Sequence, residues 1–190
     1  ETWLMSDIPS HESTSTPAET EETRIAIGEA TVQVLRDEQN LFAGLLAGLF
    51  AAIAGAAIWA IVTALTGYQI GWMAVGVGFL VGLAVRSLGK GIDKIFGVMG
   101  ALLGLFGCLL GNLLAVCYFI SDAMGIAYFD VVMQLTPAIA IEILQDTFTP
   151  IDLLFYGIAI YEAYRFSFRN ITEDDLANAL AQSGGQLEEA

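Results

Sequence analysis

Histidine is nearly absent from this chain, with His11 the one instance in 190 residues. Cysteine is scarcely commoner: Cys108 and Cys117 are the two present. Without a cluster of these residues there is no ligand set for zinc or haem, and no cofactor is expected. Both cysteines fall in one apolar run. A helix through that run holds them about 13 Å apart, while a disulfide needs Cα atoms within about 7 Å. They are expected to serve as small apolar side chains. Basic residues are also few, 7 Lys and Arg against 21 Asp and Glu, for a net charge of −14. Phosphate backbones and anionic head groups both call for Lys and Arg, so no nucleic-acid partner is expected. Hydrolase elbow, P-loop and metalloprotease motifs are missing. The glycine-rich GVGFLVG at 76–82 sits inside an apolar run, not between a strand and a helix. No catalytic residues are therefore assigned, and the chain is not expected to be an enzyme.

Apolar residues are what the chain has in excess, at 56% with a mean hydropathy of +0.66. A soluble domain is nearer about 45–50% apolar. The excess is localised. Residues 1–40 form an acidic tail, 41–169 carry the apolar runs, and 170–190 form a second acidic tail. Both tails are expected to be flexible and solvated. The first run begins near residue 41, too far in and too long for a signal peptide, and Met5 is expected to be the natural start.

Four membrane spans are expected, over 41–65, 68–88, 95–120 and 150–168. The first has no charged residue and is long enough to cross a hydrocarbon core of about 30 Å. The fourth contains Glu162 and Arg165, yet its start is well marked. Thr149 can be the N-cap, Pro150 suits the first helical position, and Asp152 stands where a capping acid belongs. Its aromatic residues crowd both ends, as interfacial belts do. The placement of basic residues supports the count. Arg24 and Arg36 precede the first span, Arg86, Lys90 and Lys94 lie between the second and third, and Arg165 and Arg169 close the fourth. The intervening links, 66–69 and 121–149, have none. The positive-inside rule then puts both termini in the cytoplasm.

Inside the third run, Gly97, Gly100, Gly104, Gly107 and Gly111 recur at steps of three and four. That spacing keeps them on one stripe of a left-handed supercoiled helix. In lipid, close backbone approach drives helix association, and glycine permits it. The first span has a matching stripe of Gly44, Gly48, Ala51 and Gly55, and the second has Gly71, Ala74, Gly78 and Gly82. Three small-residue faces serve packing within one bundle, and one left over would serve a homo-oligomer. The connection 121–149 is apolar with few charges. Pro137, capped by Thr136, starts an expected helix of about 11 residues, too short to span and expected to lie on the outer membrane surface.

Glu162 and Arg165 are three apart and are expected to pair on one helix face at the membrane interface. Read functionally, Glu162, Arg165 and Asn112 are a candidate intramembrane polar site. Asn112, beside Gly111, is placed to hydrogen-bond across the seam.

The segments GYQIGWMAVGVGFLVGLAVR (67–86), LLGLFGCLLGNLL (102–114) and DLLFYGIAIYEAYRFSFR (152–169) resemble a group of uncharacterised bacterial four-span inner-membrane proteins, some of which follow a variable water-soluble N-terminal region. The likeness covers about residues 35–170 and implies fold and inner-membrane location, but no activity and no site residues. The expectation is an all-α integral membrane four-helix bundle, with a short helical external connection. It would contact membrane lipid and associate as a homo-oligomer or with another membrane protein. A small transporter or channel using Glu162 is the alternative. A reporter fused within 121–149 is expected to read as external; a cytoplasmic signal there would overturn the orientation.

Overall fold

The computed structural model describes residues 17–188, and side chains from 24 to 183. Met5 and His11 lie outside the described residues. Those described form eight helices and no strand: α1 (Pro17–Asp37), α2 (Leu41–Thr66), α3 (Trp72–Gly89), α4 (Lys94–Met124), α5 (Tyr128–Met133), α6 (Pro137–Thr147), α7 (Pro150–Phe166) and α8 (Glu173–Glu188). They divide into two units, one of Leu35–Ile171 and one joining the stretch up to Val34 with that from Thr172 onward.

In the larger unit, α2, α3 and α4 are long and apolar enough to cross a membrane, with mean hydropathies of 2.4, 1.6 and 2.1. This is consistent with an integral membrane protein. α7 packs against α3 and α4 but has 17 residues, about 25 Å of helix. It stops short of the expected 168. Ser167 turns its hydroxyl back to the Ala163 carbonyl at 2.6 Å, and the Arg169 N–H bonds Gly91 O at 2.8 Å, drawing the chain toward the α3–α4 link. Thr149, Pro150 and Asp152 start α7 as the sequence indicates. The Asp152 carboxylate accepts from the Thr149 N–H at 2.8 Å and from its hydroxyl at 2.7 Å.

Two other boundaries differ from expectation. α3 begins at Trp72 instead of 68, because Gly67, at φ 69°, ends α2 in the left-handed region and residues 68–71 are spent on the turn. α4 runs four residues past 120 before Gly125, at φ 66°, stops it in the same way. α6 has the expected start: Thr136 Oγ1 accepts from Ile139 N at 3.3 Å. No side chain of α6 is buried, and both α5 and α6 pack on α4. α2 turns large apolar side chains outward, with Phe50 76% and Leu65 81% exposed.

One end of this unit gathers charge. Glu38 pairs with Arg169 at 2.7 Å and Lys90 at 3.9 Å, and Arg36 pairs with Asp93 at 3.2 Å. Gln39 donates to Asp93 at 2.8 Å and accepts the N–H groups of Ile92 and Asp93. Asn40 accepts from Ala43 N as the α2 N-cap and gives its own N–H to Gly89 O. The stretch before α2, the α3–α4 link and the exit of α7 are thus tied together at this basic end.

Among the described residues the acidic tails depart from the expected flexible chain, since α1 and α8 are both helices. α8 has a start that composition obscures. Thr172 gives its N–H and hydroxyl to Asp175 Oδ2 at 3.0 and 2.9 Å, and Asp175 N returns a bond to Thr172 Oγ1 at 3.2 Å. Glu173, Asp174 and Asp175 occupy the first turn, where negative charge offsets the helix dipole. In this smaller unit Thr31 and Ser183 are buried and share a hydrogen bond of 3.3 Å. The left-handed stop at Gly67 yields a prediction. Gly67→Val is expected to lower stability by about 1–2 kcal/mol, read by thermal unfolding in detergent, because a Cβ is disfavoured there.

Candidate functional site: the small-residue seams and a buried polar cluster

The glycine stripe of α4 serves two neighbours. Toward the basic end it meets α7. A Cβ on Gly97 would lie 2.6 Å from the Phe168 ring, one on Gly100 would stand 2.7 Å from Ala163 O, and one on Gly104 would stand 2.7 Å from Ala163 Cβ. Toward the opposite end it meets α2, with Gly107 against Ala52 and Gly111 against Ala56 and the Trp59 ring. On α3, Gly78 lies on the Ala159 backbone and Gly82 lies 3.0 Å, measured from its would-be Cβ, from Ala163 O. On α2, Gly44 faces Gly89 and Met99, Gly48 faces Val85 and Leu103, and Gly55 faces Val77. Gly71 meets the Phe155 ring, so all eleven stripe glycines named from the sequence pack within this one chain.

The order of these contacts gives the helix directions. Gly78 and Gly82 meet Ala159 and Ala163 in the same sequence order, so α3 and α7 run parallel. Gly97, Gly100 and Gly104 meet Phe168, Ser167 and Ala163 in reverse, so α4 and α7 are antiparallel. The small face of α7 was not foreseen. Its signal is plain in retrospect: Ala159, Ala163 and Ser167 recur every fourth residue, and all three are buried. Aromatic pairs flank the seam, Trp72 on Phe155 at 5.4 Å and Phe79 on Phe166 at 5.0 Å between centroids.

Near the opposite end the packing encloses polar side chains. Asn112, 1% exposed, donates from Nδ2 to Tyr156 Oη at 2.9 Å and accepts from Gln69 Nε2. The bond across the seam expected of Asn112 is present, and it reaches α7 and the α2–α3 link together. Tyr156 and Gln69 were not foreseen as its partners, because nothing in linear spacing pairs residues 43 or 44 apart. Cys108, one turn away and fully buried, directs its thiol to Ala74 O at 3.6 Å. Cys108 and Cys117 are both buried and unbridged.

The expected Glu162–Arg165 pair does not form. Arg165 Nη1 reaches Tyr161 Oη at 3.3 Å instead, one turn back along the exposed face. Glu162 is half-buried and stands six residues, about 9 Å along α7, past Tyr156, the residue that Asn112 bonds, and no bond joins the three candidate polar residues. Outside the bundle interior, a groove of about 510 Å³ lies between α2, α4 and α5, lined by apolar surface such as Ala60, Ala64, Leu114 and Phe129. Tyr128 closes one side of it and donates to Leu114 O at 3.3 Å. Burial raises the Tyr128 phenol above its ordinary value, and nearby Cys117 adds to the effect. Among the described residues, no three His, Cys, Asp or Glu side chains gather into a set that could hold a metal ion.

Two substitution series follow from this geometry. Gly78→Val and Gly100→Val would drive side-chain atoms into the α7 backbone and are expected to cost about 3 kcal/mol or more, while Gly76→Ala and Gly157→Ala, in open space, are expected to be neutral or to gain up to about 1 kcal/mol. Asn112→Leu is expected to destabilise by about 1–2 kcal/mol, and a double-mutant cycle with Tyr156→Phe to show a coupling of about 1 kcal/mol. Thermal unfolding in one detergent measures both series. No family model matches the chain, and neither a curated protein nor a solved structure matches it.

Proposed function

We propose that the chain is a four-span integral membrane protein of the bacterial inner membrane, non-enzymatic, and acts as an assembly or accessory component that associates with itself or with another membrane protein. The observation that carries this reading is the use of the small residues. Eleven glycines and the α7 alanines are spent on holding α2, α3, α4 and α7 together, and the buried Asn112 is engaged in bonds to α7 and to the α2–α3 link. The interior is thus built for cohesion.

Three considerations support α7 as the fourth span. It lies along α3 and α4, its N-terminal cap is complete, and aromatic side chains flank both of its ends. Its shortness is a mismatch of a few ångströms, which a bilayer accommodates by local thinning. The grouping of Arg36, Lys90 and Arg169 at one end supports a cytoplasmic assignment for that end, with Asp122, Asp130, Glu142 and Asp146 external. The acidic α8 then offers a cytoplasmic contact point.

Contacts with a partner span have to use outward surfaces, since the inward stripes are filled. Gly76 on α3 and Gly157 on α7 are the exposed span glycines with open space around them. The alternative, a small transporter or channel using Glu162, has in its favour a half-buried carboxylate with no ion-pair partner among the described residues. Its flank is aromatic, however, and Asn112 is bonded on both sides. Crosslinking in native membranes tests the assembly reading. Species larger than a monomer are expected, and Gly76→Ile or Gly157→Ile is expected to deplete them without unfolding the chain. Monomer alone, at every crosslinker length, would overturn the proposal. Loss of solute flux in Glu162→Gln, with assembly intact, would favour the alternative.

A further inference from the structure

Two fully enclosed polar groups on α2 have no hydrogen-bond partner, Trp59 Nε1 and Thr63 Oγ1. Trp59 is 1% exposed and Thr63 0%. Thr63 is unusual in a second respect. The other described serine and threonine hydroxyls within helices bond a nearby carbonyl: Thr31 to Ile27, Thr66 to Val62, Ser87 to Leu83, Thr147 to Ile143, Ser183 to Leu180, and Ser121 to Ile126 past its helix end. Among the described serines and threonines inside helices, Thr63 alone forgoes such a bond, so its hydroxyl remains available to something else.

Spacing and contacts indicate where that something sits. Trp59 and Thr63 are four apart on α2 and share a face. That face meets α4 at Gly111, where the Trp59 ring packs, one residue before Asn112. Asn112 Nδ2 gives one hydrogen to Tyr156 Oη, and its second has no acceptor among the described residues; nor does the phenolic hydrogen of Tyr156. The α2 face at Trp59 and Thr63, and the Asn112–Tyr156 pair beside Gly111, therefore hold donors short of an acceptor, plus one hydroxyl able to accept. None of the groups is charged. In an apolar surrounding, each unmet donor costs about 1–3 kcal/mol.

We propose that Trp59 and Thr63 form a buried binding site for a small uncharged hydrogen-bonding molecule, water itself, which joins α2 to the Asn112–Tyr156 pair. A water molecule accepts two hydrogen bonds and donates two, so it can take the indole N–H and an amide or phenolic hydrogen while donating to the threonine oxygen. An anion or a cation would find no countercharge among these residues. The site completes the polar cluster: Asn112 binds Gln69 and Tyr156 directly, and α2 enters the network through the solvent molecule.

The experiment uses the full chain in detergent micelles, with water as the probe. In the parent protein, the indole N–H of Trp59, assigned by its loss in Trp59→Phe, is expected to show magnetisation transfer from a long-lived bound water. Thr63→Ser keeps the hydroxyl and is expected to retain that signal and a melting temperature near the parent's. Thr63→Val is expected to lose the signal and melt lower, because the water loses a partner. If the two groups are simply unpaired, valine removes a buried polar atom and the protein melts at the same or a higher temperature. Absence of the water signal in the parent, or a Thr63→Val protein at least as stable as the parent, overturns the proposal. Should Thr63→Val fail to fold, the parent and Thr63→Ser spectra decide the matter by themselves.

Discussion

Everything in the larger unit depends on backbone meeting backbone where Gly78, Gly104 and the Ala159–Ala163 turn converge. A Cβ on Gly104 would stand 3.8 Å from Gly78 Cα and 3.7 Å from Ala159 O. Three helices pass there with almost no side chain between them. Apolar side chains gain little by exchanging lipid for one another, so dispersion between closely packed backbones has to supply much of the attraction. Glycine gives up helix propensity to make that possible, and the junction shows where the loss is recovered.

The same constraint accounts for the polar cluster. Close packing shuts out lipid and bulk solvent alike, so a polar group caught inside must find a partner in the protein or retain a water. Asn112 does the former by reaching two other elements of the chain. It stands on the side where the α4 stripe has turned from α7 toward α2, and it bridges the division that the turn creates.

Much of the helical layout was legible in the sequence, because it rests on local signals. Thr136 before Pro137 and Thr149 with Asp152 mark two helix starts, whereas the left-handed stops at Gly67 and Gly125 lie beyond what the apolar runs alone reveal and shift the bounds of α3 and α4. The glycine faces were legible too, as a period. Which helix each glycine would meet was not, since a period names a face and leaves the neighbour open. The small face of α7 escaped notice because alanine and serine are common enough to hide a repeat. The Glu162–Arg165 pair failed for a related reason: spacing permits a contact, and a tyrosine one turn away competed for the arginine. The helical tails went unread because charge outweighed the Thr172–Asp175 cap in the judgement of composition.

The ionic knot at the basic end has a bearing on how the chain is completed. Glu38 stands between α1 and α2, and Arg169 just after α7, 131 residues later. During synthesis the threshold of α2 is made early and its strongest clasp arrives late. Until α7 is seated, Lys90, at the longer distance of 3.9 Å, is the cation left to Glu38 among the described residues. The fastening of the doorway thus serves as a latch that closes when the last long element of the unit comes home, so an unfinished chain differs from a finished one at the very place where both ends of the unit emerge.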